Sequence, residues 1–182
     1  MARRLGAVKR RAAVLAAAVA LAAAAWWLFL RGDHVEPRLV QTKPIATIGS
    51  GSGAVGVAGD GTVLSWLPAP EDGSLPRLPL TEPPPGGRLA GPALQQARVL
   101  GAAPAGLRPY IESSFYGDSG VDVVLKAGVQ LRFGSASQAT KKWRAAAAVL
   151  ADPTVTTLDY VDLYVPGRPT FGGSGHSLPA VP

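Results

Sequence analysis

The side chains most able to perform acid–base or metal chemistry are few and lie far apart. The chain has two histidines and no cysteine. His34 precedes the folded region, whereas His176 lies in a C-terminal stretch rich in Gly, Pro and Ser. A zinc site would therefore need carboxylates beside the histidines. Asp159 and Asp162 are three residues apart in a predicted strand, so they face opposite sides and cannot form an acid–base pair. We predict no catalytic residue and no metal site.

A glycine motif offers the one pattern that is typical of cofactor binding. Gly51, Gly53 and Gly56 match the G-x-G-x-x-G spacing of phosphate-binding loops. Such a loop must lead directly into a helix whose N-terminus faces the phosphate. Here the following residues alternate as in a strand, and Asp60-Gly61 is typical of a turn rather than of a calcium loop. We predict no cofactor, and we expect that the protein is not an enzyme.

An uncharged stretch near the N-terminus predicts a membrane anchor. Residues 12–30 contain no charged side chain, and as a helix they would span about 28 Å, close to the hydrocarbon thickness of a bilayer. Arg10 and Arg11 end a basic cluster just before this stretch, and Trp26 and Trp27 lie near its far end. Basic residues favour the cytoplasmic side, and tryptophan favours the membrane interface. We expect a single-pass protein of the inner (plasma) membrane, with a cytoplasmic N-terminus and an extracytoplasmic domain.

A cleaved signal peptide is the alternative interpretation of this segment. Ala20 and Ala22 resemble a cleavage site, but the apolar run is longer than the 7–15 residues that are usual for a signal peptide. The charge distribution agrees with an anchor, since five of the 18 basic residues precede residue 12 and the remainder is nearly neutral. We therefore expect no nucleic-acid binding, although the sequence pI is about 10.1. The absence of cysteine excludes disulfides and lipid attachment at a cysteine.

The polar part of the chain is long enough for one domain with its own core. Its patterns predict a hairpin over 55–67, a helix over 92–100, strands over 110–116, 121–126 and 129–133, a helix over 137–150 and a strand over 156–165. Ser135 or Ser137 is the expected cap of the second helix. This order favours an α+β fold in which helices pack on one side of a mixed sheet.

Several short blocks, in order, resemble one protein family. They are Pro44-Ile45-Ala46, Asp60-Gly61 between two strands, Leu75-Pro76-Arg77-Leu78, a lysine-bearing helix with Lys141 and Lys142, and Val161-Asp162-Leu163. Over residues 40–171 the chain resembles the extracytoplasmic β domain of the bacterial FtsQ/DivIB cell-division family. Members of that family carry a POTRA domain after the anchor, whereas only residues 31–39 separate the two here. The chain therefore resembles a shortened form that lacks POTRA.

The resemblance implies a scaffold at the division septum. It implies binding to FtsB/DivIC-like and FtsL-like coiled-coil proteins and a part in the control of septal peptidoglycan synthesis. In the family the partner adds a β-strand to the exposed edge of the last strand, where backbone groups are unpaired. We expect residues 157–165 to form that strand. The implied partner-binding residues are Tyr160, Asp162, Leu163, Tyr164, Val165, Gly167, Arg168 and Pro169.

Three alternatives remain open at this point. The C-terminal tail could fold over the predicted edge, with Val161 and Leu163 in the core. The protein could be an anchored envelope binding module with no part in division, or an anchored hydrolase whose pocket joins residues distant in sequence.

The expected layout is a basic cytoplasmic segment (1–11), an anchor (12–30), a linker (31–39), the β domain (40–171) and a flexible tail (172–182). No small-molecule substrate is expected.

Overall fold

A computed structural model of the protein describes residues 43–70 and 73–178. The predicted cytoplasmic segment, anchor and linker lie outside the described residues, together with Arg10, Arg11, Trp26 and Trp27. Within the described ranges, neither helix has the length and apolar character needed to cross a membrane.

The N-terminal half of the domain forms a three-stranded antiparallel sheet. Its strands, in spatial order, are β1 (Ala46–Ile48), β2 (Val55–Val57) and β3 (Val63–Pro68). The predicted hairpin over 55–67 is confirmed, because Gly61 adopts a φ of 87° in the turn and the Thr62 amide donates to Asp60 Oδ1 at 2.9 Å. The glycine motif forms a 3-10 turn, Gly51–Gly53, which leads into β2 rather than into a helix.

The second half forms a five-stranded mixed sheet. Its strands are β4 (Ile111–Gly117), β5 (Gly120–Leu125), β6 (Gln130–Gly134), β7 (Tyr160–Asp162) and β8 (Thr170–Gly172), which lie side by side in that order. Only β6 and β7 are parallel. The predicted single sheet is thus two sheets. A proline-rich segment follows β3, and proline lacks the N–H that would continue the ladder.

Two helices pack against one side of the five-stranded sheet, as predicted. They are α1 (Gly91–Gly101), with a proline in its first turn, and α2 (Ala139–Leu150). Trp143 of α2 joins the two helices, since its Nε1 donates to the carbonyl of Val99 at 2.7 Å. Its ring also lies 4.9 Å from that of Phe133 on β6, centroid to centroid. Val129, Leu131 and Phe133 are all fully buried on the helix-facing side, as their alternation predicts.

The predicted serine cap of α2 is wrong. Gln138 occupies the N-cap position with a φ of 55° and makes no side-chain capping bond. Ser135 and Ser137 instead hydrogen-bond to each other, Oγ to Oγ, at 2.7 Å. Lys142 binds back to this loop, because its Nζ donates to the carbonyls of Phe133 at 2.6 Å and Ser135 at 3.0 Å.

The Leu75-Pro76-Arg77-Leu78 block extends the three-stranded sheet beside β1. The Thr47 amide donates to the Pro76 carbonyl at 3.0 Å, and the Leu78 amide donates to the Thr47 carbonyl at 2.8 Å. Leu78 is buried in the hydrophobic cluster that both sheets and both helices share. The block therefore contributes both to this sheet and to the core.

Candidate docking site

The strand expected to receive a partner is short and covered. The sequence predicts a strand over 156–165, whereas β7 comprises only Tyr160–Asp162 and pairs with β6 on one side and β8 on the other. The prediction that 157–165 is the exposed terminal strand is therefore wrong. The Tyr164 amide donates to Asp162 Oδ1 at 2.9 Å, which forms an Asx turn that ends β7. The chain then reverses and returns as β8.

The C-terminal segment, defined here as residues 172–178, continues along the same edge. It is held by three backbone bonds: Asp159 N–H to Gly172 O at 2.9 Å, Leu158 N–H to His176 O at 2.8 Å, and Leu178 N–H to Thr156 O at 3.0 Å. The side chain of Asp159 adds a fourth bond, since its Oδ1 accepts from the Gly175 amide at 2.7 Å. The prediction of a flexible tail from residue 172 is wrong for these residues. The structure agrees with the alternative interpretation, in which the C-terminal tail folds over the edge of the predicted strand.

Two glycines make this close packing possible. Gly173 has a φ of 100°, and a side chain there would collide with Asp159. Gly128 lies in the β5–β6 turn with a φ of 88°, and a side chain there would collide with the ring of His176. His176 therefore contributes to the packing of the C-terminal segment.

Three large apolar side chains are exposed where β7 and β8 are joined. Tyr164, Val165 and Phe171 are 42%, 59% and 46% exposed, and we call them the edge cluster. Tyr164 is held in place because its hydroxyl donates to the Ser119 carbonyl at 3.1 Å. Large exposed apolar side chains at a sheet edge are candidates for an interaction surface. Phe171 is not among the contact residues predicted from the sequence, although an apolar residue between Thr170 and Gly172, after a turn signal, is typical of a short strand.

The other predicted contact residues have different environments. Gly167 and Arg168 are exposed in the β7–β8 connection, and Pro169 beside them is half-buried. Leu163 is fully buried in the core, so it cannot contact a partner. Tyr160 and Asp162 are half-buried on the sheet face that lies opposite the helices. The structure therefore leaves Tyr164, Val165, Gly167 and Arg168 as the accessible part of the predicted set.

The sheet face opposite the helices carries a short polar network. The Arg132 guanidinium lies 4.3 Å from the centre of the Tyr160 ring. Gln130 Nε2 donates to Asp122 Oδ2 at 3.0 Å, and burial raises the pKa of Asp122 above its usual value. Asp122, Arg132 and Asp162 are cross-strand neighbours, so this network links β5, β6 and β7.

An open cavity is lined mainly by residues 47–77 and reaches Glu112 of β4. It has a volume of about 620 Å³, and its lining includes Thr47, Arg77 and Glu112. Its residues do not pair a nucleophile with a base. Over 43–70 and 73–178, no group of three His, Asp or Glu residues is arranged to hold a metal ion.

Comparison with known proteins agrees with this architecture. The family model described as "Cell division protein FtsQ/DivIB, C-terminal" matches residues 46–164, more than half of the chain. The match begins at β1 and ends at Tyr164, just after β7. No curated protein matches the chain.

Proposed function

The chain belongs to the FtsQ/DivIB cell-division family, and from this membership we propose that it is a non-enzymatic scaffold of the bacterial division machinery. Its partners are FtsB/DivIC-like and FtsL-like coiled-coil proteins, and through them it helps to control septal peptidoglycan synthesis. The family match, which spans the hairpin, both helices and β7, supports the division role.

Docking takes place at the free edge of β8. This strand is last in the order of the five-stranded sheet, and no other strand pairs with its outer edge in the described part of the chain. An extended segment that adds there would satisfy unpaired backbone groups. The edge cluster provides apolar side chains beside this edge, and tyrosine is enriched in interface hot spots. The open edge of β8 beside the edge cluster is the observation that supports this site.

The domain acts outside the cytoplasm, at the outer surface of the inner (plasma) membrane and at the septum. The basic residues before residue 12 and the uncharged stretch over 12–30 support this topology. Arg10 and Arg11 face the cytoplasm, whereas Trp26 and Trp27 lie at the opposite interface.

Depletion of the protein in its own cells tests the proposed role. We expect filamentous cells with incomplete septa and a fluorescent fusion that concentrates at midcell. The full-length chain should restore septation, whereas the Val165→Lys, Phe171→Lys double variant should not. Normal septation with a uniform envelope signal would contradict the proposal and favour an anchored binding module unrelated to division.

A further inference from the structure

A bulge interrupts the pairing of β3 with β2. Val55 and Gly56 are consecutive in β2, but their partners in β3 are Pro68 and Leu64. Residues 65–67 therefore have no partner in β2, and all three are exposed. We call these three residues the β3 bulge. Bulges redirect side chains away from a regular strand and are frequent at functional sites.

The β3 bulge exposes two large apolar side chains. Trp66 is 71% exposed, the highest value among the large apolar side chains of the described residues, and Leu67 is 38% exposed. The other tryptophan of the described part, Trp143, is fully buried in the core. A side chain as exposed as Trp66 contributes little to the core, and its contact with water is unfavourable. The position of Trp66 therefore fits a contact made outside the domain.

The sequence around the β3 bulge suits a lipid surface. Residues 61–70 contain no Asp, Glu, Lys or Arg. Tryptophan is enriched at the membrane interface, where its ring meets apolar groups and its N–H meets polar ones. A stable protein interface uses about 20–30 residues on each side, and three exposed residues are too few for one. The composition and the size of the bulge therefore favour lipid over protein.

The length of the chain before β1 allows such a contact. Residues 31–42 separate the uncharged stretch over 12–30 from Lys43, the first described residue. Fully extended, they span at most about 40 Å. β1 begins three residues after Lys43, and β3 lies two strand spacings from β1, about 10 Å. An anchor over 12–30 would thus keep the β3 bulge within reach of the bilayer, and a tethered contact needs little affinity of its own.

We propose that the β3 bulge places Trp66 and Leu67 in the headgroup interface of the bilayer that holds the anchor. This inference rests on the membrane topology given under the proposed function. The contact is apolar rather than electrostatic, because the bulge has no basic residue and Glu71 and Asp72 follow it in the sequence. It leaves the edge cluster free, since that cluster belongs to the five-stranded sheet. The lipid contact and the partner site therefore use different residues.

Fluorescence quenching by lipids tests the proposal with the full chain in phosphatidylcholine nanodiscs. The chain has no cysteine, so Ser65→Cys accepts a single NBD label beside Trp66 and keeps both apolar side chains. We expect blue-shifted emission that lipids with a doxyl group near the headgroup quench. Adding Trp66→Ser and Leu67→Ser to this variant should remove most of the quenching. Thr140→Cys, at an exposed position on α2, is the matched control and should not be quenched.

The outcomes separate the lipid contact from the proposed topology. Copurification of the chain with the nanodiscs reports the anchor, whereas the label reports the bulge. In copurified nanodiscs, an unquenched label at position 65, or quenching that persists without Trp66 and Leu67, would overturn the lipid contact alone. Quenching that requires anionic lipid would contradict an apolar contact. A chain that does not copurify would overturn the topology and the contact together. Circular dichroism verifies that the substituted variant is folded.

Discussion

Lys142 shows how a single side chain stabilises the junction between β6 and α2. It is only 3% exposed, and it donates to the carbonyl of Phe133 at the end of β6 and to that of Ser135 in the connecting loop. Burial lowers its pKa because the charged form loses water. The two hydrogen bonds offset this desolvation. Lys141, the preceding residue, is exposed and has no such contacts among the described bonds.

Lys142→Met should therefore destabilise the domain, whereas Lys141→Met should not. The methionine leaves two carbonyls without their donor, at an expected cost of about 1–3 kcal/mol in the free energy of unfolding. Urea denaturation of the two variants checks this. Equal stability of the two variants would mean that Lys142 contributes only through its aliphatic stem.

The raised pKa of Asp122 predicts that the free energy of unfolding of the domain depends on pH. Burial raises the folded-state pKa of Asp122 above its usual value, against the opposing hydrogen bond from Gln130. For an acid with a raised pKa, the folded state prefers the protonated form. The stability that Asp122 contributes is thus present below about pH 4 and is lost as the pH rises through the folded-state pKa.

Asp122→Asn should remove this loss, because the amide keeps an acceptor for Gln130 and carries no charge. We expect the variant to gain stability relative to the wild type as the pH rises from 4 to 7. Asp118→Asn, at an exposed position in the β4–β5 turn, is the control. Parallel stability curves for wild type and Asp122→Asn over this range would contradict the assignment.

The sequence predicted the burial of single residues well wherever one local pattern decides their environment. The alternation of Val129, Leu131 and Phe133 gave the correct buried face. It could not separate Leu163, which is buried, from Val165, which is 59% exposed. That difference depends on the Asx turn at Asp162, which reverses the chain between them.

The observed secondary-structure elements agree closely with those predicted from the sequence up to α2 and differ from them after that helix. The hairpin, both helices and strands β4 to β6 were predicted because each has strong local periodicity. β7 was predicted too long, and β8 was not predicted. A three-residue strand that follows Pro169, ends in Gly172 and precedes another glycine carries almost no local signal. Its pairing with β7 is a tertiary effect that spacing alone does not reveal.

The C-terminal segment should be necessary for a stable edge at β7. Truncation after Gly172 removes the two backbone bonds made by His176 and Leu178, the Gly175–Asp159 bond and the packing of Leu178 against the core. We expect a loss of about 2–4 kcal/mol in the free energy of unfolding. Truncation after Leu178 keeps every described contact and is the control. If both truncated proteins unfold at the same denaturant concentration, the segment contributes nothing to stability.

At the scale of the whole domain, the five-stranded sheet has two edge strands, β4 and β8, whose outer sides pair with no other strand among residues 43–70 and 73–178. The β8 edge has three residues and lies beside the edge cluster, whereas the β4 edge has seven residues and is interrupted by a bulge between Ile111 and Ser113. The β8 edge is the proposed site for a division partner. Sequence resemblance indicated a docking edge on the last strand. Only the strand order identified that strand as β8.

The most direct test of the central claim is a calorimetric titration of residues 42–182 with the FtsB/DivIC-like protein of the same organism. The account predicts saturable binding that Phe171→Lys weakens by at least about tenfold, since a charge replaces an apolar contact. Trp66→Lys and Tyr116→Glu should bind like the wild type. Absence of binding, or equal binding by Phe171→Lys and the wild type, would contradict docking at β8.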